Sequence, residues 1–268
     1  MAIYDCFQYF NEDHIADLRF NILNKFVDKF VVVESTVNHQ GKSKKLNFDI
    51  NKYKKFKNKI NYIIVDDTPE NIKKPHEGGE SLVEQHQRNS IMKGIEKAND
   101  NDLIILSDVD EIPDLTKLDL YDKKKYAVFS QKMFMYKLNL LNLEENNWHG
   151  SKICLKKNFK SPQWLRDLKF KKYPFWRIDK IRNLQIIENG GWHFAYLQTP
   201  ENISKKIQSF AHGEFNKDNI TNKDSIRLKI EKGQDIFGRG FRLQKIDLDE
   251  KFPEYIYKNK DNFKDWIV

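Results

Sequence analysis

Residues 103–113 read Leu103-Ile104-Ile105-Leu106-Ser107-Asp108-Val109-Asp110-Glu111-Ile112-Pro113. Four large aliphatic residues in a row suit a short strand buried on both faces, or a buried helix segment. Three carboxylates follow within four residues, and then a proline that ends any regular ladder. In an extended chain Asp108 and Asp110 point one way while Val109 points back into the protein. Two hard oxygen ligands on one side suit Mg²⁺ or Mn²⁺, ions that share their coordination sphere with a substrate's phosphates. A plain acidic turn gives the same residue pattern, so the rest of the chain has to decide between them.

The chain of 268 residues is long enough for one large domain or two closely joined ones. Its net charge of +8 is spread through nearly every segment, with Asn/Lys-rich runs at residues 51–61 and 121–125. A basic surface favours anionic partners in general but carries no function by itself. The two cysteines, Cys6 and Cys154, lie in apolar strand-like contexts and read as buried free thiols, which fits a reducing compartment. No run approaches the length of a membrane span, and strand-like Ile3-Tyr4-Asp5-Cys6-Phe7 stands at the start. The expectation is therefore a cytoplasmic protein without signal peptide or anchor.

Working outward, the first hundred residues alternate as a parallel sheet with crossover helices does. Strands are expected at residues 2–7, 30–33 and 60–65, and helices at 11–23 and 81–98. Ile15, Leu18 and Ile22 share one face of the first helix. The strands end on acids, Glu34, Asp66 and Asp108, and ligands of open α/β sheets sit outside the carboxyl ends of strands. In the helix before the key strand, Ile91, Ile95 and Ala98 form a face that continues back to Arg88 and Glu84. Arg88 either makes an internal i, i+4 ion pair or meets an anionic ligand with its planar fork.

Downstream the pattern changes. Residues 126–140 alternate over a long stretch, and strands are expected at 152–156, 185–187 and 191–197. Between them lie Trp148, Trp164, Tyr173, Phe175 and Trp176, which serve either as core filler or as flat walls of a sugar cleft. Asn189-Gly190-Gly191-Trp192-His193 sets two glycines, which permit a sharp bend or close approach, beside a histidine that is either structural or a third metal ligand. Thr199-Pro200-Glu201 reads as a helix start, with Ile203, Ile207 and Phe210 as its buried stripe. Glu201 there is either a dipole-complementing acid or a general base kept ionised by the helix N-terminus. Residues 229–242 form a basic, glycine-interrupted segment in which Arg239 and Arg242 either are solvated or fold over a diphosphate. Residues 249–268 read as a docked C-terminal segment.

Several segments in order resemble glycosyltransferase family 17. They are Tyr4-Asp5-Cys6-Phe7 with Asn11-Glu12, then Val31-Val32-Val33-Glu34-Ser35-Thr36 followed by Gln40-Gly41-Lys42, Gln87-Arg88-Asn89, residues 107–113, Gly191-Trp192-His193-Phe194 and Thr199-Pro200-Glu201. The resemblance implies a single α/β domain of the GT-A type over residues 1–268. Its mostly parallel, Rossmann-like sheet would be flanked by helices. Residues 1–113 would form a nucleotide-binding half, and 114–268 a mixed acceptor-binding half with a C-terminal loop. It also implies a UDP-sugar donor (UDP-N-acetylglucosamine by family), Mn²⁺ or Mg²⁺, and inversion at the anomeric carbon.

Carried over by position, Glu34 with Arg88 and Asn89 serve the nucleotide, while Asp108 and Asp110 serve the metal and diphosphate; Asp66, as a strand-end acid, is a further candidate for the donor. His193 is a candidate third ligand, and Arg239 and Arg242 are candidates for the donor's diphosphate. Trp148, Trp164, Trp176 and Trp192 are candidates for the acceptor. Glu201 is the first choice for the base, with Glu188 and Glu214 behind it. The acceptor expected is an oligosaccharide or glycolipid, with contact at the inner face of a membrane and no nucleic-acid partner. The animal relatives' membrane anchor and lumenal disulfides have no counterpart among these residues. Two rival readings are a sugar nucleotidyltransferase, which needs a Gly-rich loop after its first strand where residues 7–11 hold no glycine, and a non-catalytic carbohydrate-binding protein.

Overall fold

A computed structural model describes residues 1–73, 81–123, 125–171, 174, 176–177, 181–182, 184–209 and 218–268. In chain order, β1 (Ile3–Gln8), α1 (Asp13–Leu23), β2 (Lys29–Ser35), β3 (Ile60–Val65), α2 (Leu82–Asn89), α3 (Ile91–Gly94) and β4 (Leu103–Ser107) come first. After the acidic turn come β5 (Glu111–Pro113), β6 (Tyr126–Met135), β7 (Leu140–Asn142), β8 (Trp148–Leu155), α4 (Pro162–Asp167), β9 (Leu184–Ile187) and β10 (Gly191–Ala195). The chain closes with α5 (Pro200–Ser209), α6 (Asp218–Thr221), α7 (Lys223–Glu231), β11 (Leu243–Lys245) and α8 (Glu254–Lys258).

The aliphatic run becomes a central strand because helices cover both faces of the sheet. Leu103 and Ile105 of β4 join one core with Phe7, Phe20, Phe30 and Val32, on the face where α1 packs. Ile104 and Leu106 join the other, with Cys6, Val31, Val33 and Ile91. The eleven described strands form one mixed α/β sheet in the order β11-β7-β6-β8-β4-β1-β2-β3, with β9 and β10 beside β6 and β5 beside β10. This is a GT-A-like arrangement. β1, β2, β3 and β4 run parallel, so their carboxyl ends share one edge. β8 then runs antiparallel between β4 and β6, which joins the chain's two halves within one sheet.

Three expected elements take a different form. The helix over 81–98 breaks into α2 and α3 at Ser90, whose Oγ donates 3.0 Å to the His86 carbonyl, a side-chain bond that competes with the backbone ladder. The alternating stretch 126–140 is not one strand: β6 stops at Met135, Tyr136 takes φ +66°, and β7 folds back. The acidic residues after β4 form a turn, closed by Glu111 N–H to Asp108 C=O at 3.0 Å, not an extended edge. Val109 still points into the core and the two aspartates still face out, but it is the turn that places them.

The glycine pair does what paired glycines allow. Gly191 sits at φ +139°, and a Cβ there would lie 2.2 Å from the Ile112 carbonyl oxygen, so only glycine lets β10 approach β5 this closely. Both cysteines are buried free thiols. The C-terminal segment docks as expected, with Leu138 N–H donating to the Trp266 carbonyl at 2.8 Å and the Trp266 ring stacked on His14 at 4.5 Å. No described helix is long and apolar enough to cross a membrane.

Candidate active site at the carboxyl end of β4

The turn Asp108–Glu111 is built on a buried arginine. Arg19, on the sheet-facing side of α1, forks onto Asp5 of β1 at 2.7 and 2.5 Å, and both side chains are fully buried. Its remaining Nη1 donates to the carbonyls of Asp108, Val109 and Glu111 at 3.2, 3.3 and 2.6 Å. A second set of bonds holds the turn from the sheet. Ser151 Oγ donates 2.9 Å to the Glu111 carbonyl and pairs with Ser107 Oγ at 2.7 Å. The Glu111 carboxylate accepts from Asp108 N–H at 3.0 Å and from Trp148 Nε1 at 2.7 Å. With both oxygens engaged, buried Glu111 is a brace for the turn. Burial first, and Asp108 second, push its carboxyl above the usual carboxylate range.

Asp108 and Asp110 stand out from this support. Asp108 is 38% exposed, and its Oδ2 accepts from Arg166 Nη2 at 3.0 Å. Burial raises its pKa, but Arg166 and then Arg88 outweigh that and hold it below the ordinary value, so the carboxylate is ionised. Asp110 faces His193, with Nε2 3.6 Å from Oδ1, and the Trp148 ring leans on the imidazole at 5.1 Å. Burial lowers the His193 pKa, but Asp110 by charge and hydrogen bond, with Glu111 and Asp108 behind it, raises it on balance. His193 thus faces Asp110 from β10 at the edge of the acidic turn.

Beside Asp108 opens a cleft of about 540 Å³ lined by His149, Lys152, Arg166, Asp167, Lys169, Phe170 and Lys171. Lys152 is buried, with its Nζ on the carbonyls of Arg166 and Leu168. Burial, then the nearby Arg166, lower its pKa to about 8. Arg88 and Asn89 reach this region through α4. Arg88 donates 2.5 Å to Gln163 Oε1 and also pairs with Glu84, while Asn89 Oδ1 accepts the Gln163 N–H at 3.0 Å. Their part is to dock α4, and Arg88 adds positive potential at Asp108.

The other expected site residues are dispersed. Glu34 is fully buried and accepts from Lys44 Nζ (2.5 Å), Asn47 N–H (2.8 Å), Phe48 N–H (3.0 Å) and Tyr62 Oη (2.8 Å). It anchors the loop after β2 and has no capacity left for a nucleotide, which corrects that expectation. Asp66 is exposed at the end of β3, three strand spacings, about 14 Å, from β4. Glu201 is ionised and 42% exposed at the start of α5, 3.4 Å from Arg227. Glu188 is exposed in the turn after β9, where Lys117 holds its carbonyl. Glu214, Phe210, Tyr173 and Phe175 lie outside the described residues.

Arg239 and Arg242 are held by acids of the second half. Arg239 pairs with Asp235 at 2.9 Å between the rings of Phe237 and Phe241, and Arg242 pairs with Glu144 at 2.6 Å. Of the four tryptophans, Trp148 alone joins the acidic cluster. Trp192 lies on the opposite face of β10 from His193, in the core with its Nε1 on the Lys251 carbonyl, because neighbours on a strand alternate. That face borders the larger cavity of about 1070 Å³, lined also by Asn189 and Tyr255, which shares none of the acidic groups. Trp164 sits on α4 against Tyr126, and Trp176 is exposed.

Sequence reasoning missed Arg19, Lys152, Gln163 and Arg166. The signal for α4 was present in Ser161-Pro162, an N-cap followed by proline at the first helical position, with Ser161 Oγ accepting the Trp164 N–H. For Arg19, a lone arginine among the apolar positions of α1 was the available sign.

Among the described residues no three His, Cys, Asp or Glu side chains form a closed metal cage. The donor set of Asp108 and Asp110, two carboxylates on one turn, fits a hard cation that takes the rest of its coordination from a substrate and water. A search of curated proteins finds no match. The sequence profile of glycosyltransferase family 17 matches residues 1–240, a span that includes the whole acidic turn, its arginine brace and the Asp110–His193 pair. The chain belongs to glycosyltransferase family 17, and it is a glycosyltransferase.

Proposed function

We propose that the chain moves N-acetylglucosamine from UDP-N-acetylglucosamine to a hydroxyl of an oligosaccharide or glycolipid, with inversion, at the carboxyl end of β4. The observation that carries this reading is the Asp108–Asp110 turn, with Asp108 ionised and paired to Arg166 of a neighbouring basic cleft, in a chain of family 17. Asp108 and Asp110 would hold Mn²⁺ or Mg²⁺, which when bound offsets charge on a departing diphosphate. The basic groups of the cleft add to that stabilisation by lying where negative charge grows. Asp66, about 14 Å along the sheet edge, is at a distance that suits the nucleoside end of the donor. Trp148, braced by Glu111, keeps a flat ring beside His193 for a sugar face.

An inverting displacement needs a carboxylate that takes the acceptor's proton from the face opposite the leaving group. Glu201 is the candidate, because it is an ionised carboxylate open to solvent at the start of α5, the element that follows the His193-bearing strand β10. The reading is tested by incubating the protein with UDP-N-acetylglucosamine, Mn²⁺ and an acceptor mixture and following the nucleotide products. Metal-dependent UDP release with a glycosylated product is expected. Pyrophosphate release from UTP and N-acetylglucosamine 1-phosphate, with no UDP released from the UDP-sugar, would indicate a nucleotidyltransferase, and no turnover with any UDP-sugar would refute the proposal. Glu201→Gln should lower transfer at least about 100-fold while leaving donor affinity unchanged, and near wild-type transfer would remove Glu201 from the mechanism.

A further inference from the structure

We infer that Arg166 is the resident counter-ion of Asp108, which a divalent cation displaces, and that the released guanidinium then engages the donor's diphosphate. This rests on the reading of the acidic turn given above. Arg166 Nη2 occupies Asp108 Oδ2 at 3.0 Å, one of the oxygens an arriving cation needs. The pair is reversible in character, since Asp108 is 38% and Arg166 24% exposed, unlike the fully buried Asp5–Arg19 pair beneath the same turn.

The backbone of Arg166 is held at two points. Gln163, one turn earlier, is tied to Arg88 and Asn89, and the Arg166 carbonyl itself holds Lys152 Nζ. Exchange therefore needs a change of rotamer and no movement of α4. A divalent cation at Asp108 places two positive charges within a few ångströms of the guanidinium and drives it off. The cleft it turns into is lined by Lys152, Lys169 and Lys171 against Asp167 as the one acid among its lining residues. An incoming diphosphate is the partner that stabilises the guanidinium there, and arginine's fork matches its oxygens. Metal and donor binding are thereby coupled: cation alone competes with Arg166, whereas cation with diphosphate does not.

Mn²⁺ affinity of the whole protein, measured by electron paramagnetic resonance or calorimetry with and without UDP, tests this independently of turnover. Arg166→Gln should bind Mn²⁺ about tenfold more tightly than wild type without UDP, and UDP should then tighten it less than it does in the wild type. Arg166→Lys, which keeps a charge, should stay within about twofold of wild type; thermal melting checks that both variants are folded. If wild type binds Mn²⁺ with UDP but Arg166→Gln binds it no more tightly without UDP, the exchange is refuted and the proposed function stands. If wild type binds no Mn²⁺ in either condition, both fail. Should Arg166→Gln not fold, tighter Mn²⁺ binding by Arg166→Lys, or Mn²⁺ affinity in the wild type that UDP leaves unchanged, would overturn the exchange.

Discussion

Two arginine–aspartate pairs grip the same four-residue turn from opposite sides. Below it, Arg19 and Asp5 are fully buried, and the guanidinium is shared with three backbone carbonyls of the turn. Above it, Arg166 meets Asp108 at the mouth of a cleft, and both partners see solvent. The chemistry is the same, but burial makes the first a fixed part of the scaffold and leaves the second free to exchange partners. In the lower pair, loss of one member strands a charge and several polar groups in the core. In the upper pair, water and mobile ions replace what is lost.

The comparison breaks first at Arg19. Arg19→Met should lower the unfolding free energy by about 3–5 kcal/mol, because the Asp5 charge and three carbonyls are left unpaired, and denaturant titration checks it. Arg166→Gln in the same assay should lose about 1 kcal/mol or less. Similar losses from the two variants would erase the distinction between scaffold and exchangeable pair.

A smaller effect concerns Lys152, buried between the two layers of this network with a pKa lowered to about 8. A lysine whose folded pKa is lowered is charged in the unfolded chain but neutral in the folded one between about pH 8 and its unfolded value near 10.4. The unfolded state then binds more protons, so this group's contribution to stability rises with pH across that window and is flat below it. Burial raises the pKa of several tyrosines in the folded chain, while in the unfolded chain they titrate near the top of the same range, so the quantity to compare is the difference between wild type and Lys152→Met at pH 8 and pH 10. Wild type should gain relative to the variant on going to pH 10, and parallel curves would contradict the assignment.

The contrast also explains what was legible in the sequence. The run Leu103–Leu106 announced a strand covered on both faces, and the parallel elements around it followed from β-branched runs and helical periodicity. Asp108 and Asp110 were legible because they follow that strand directly. Their supports were not: Arg19 lies 89 residues before Asp108, Arg166 lies 58 after it, and no local spacing records contacts of that range. Glu34 misled for the same reason, since a strand-end acid reads alike whether it faces a ligand or, as here, four donors of its own chain. Trp192 and His193 were read together although alternation on β10 sends them to opposite faces.

The central claim is that the exposed side of this turn holds a cation against a sugar nucleotide. The direct measurement is calorimetric affinity for UDP-N-acetylglucosamine with and without Mn²⁺, in wild type and in Asp110→Asn. Mn²⁺ should strengthen donor binding by wild type about tenfold or more, and Asp110→Asn should abolish that gain while remaining folded. Equal strengthening by Mn²⁺ in the two proteins would contradict the account.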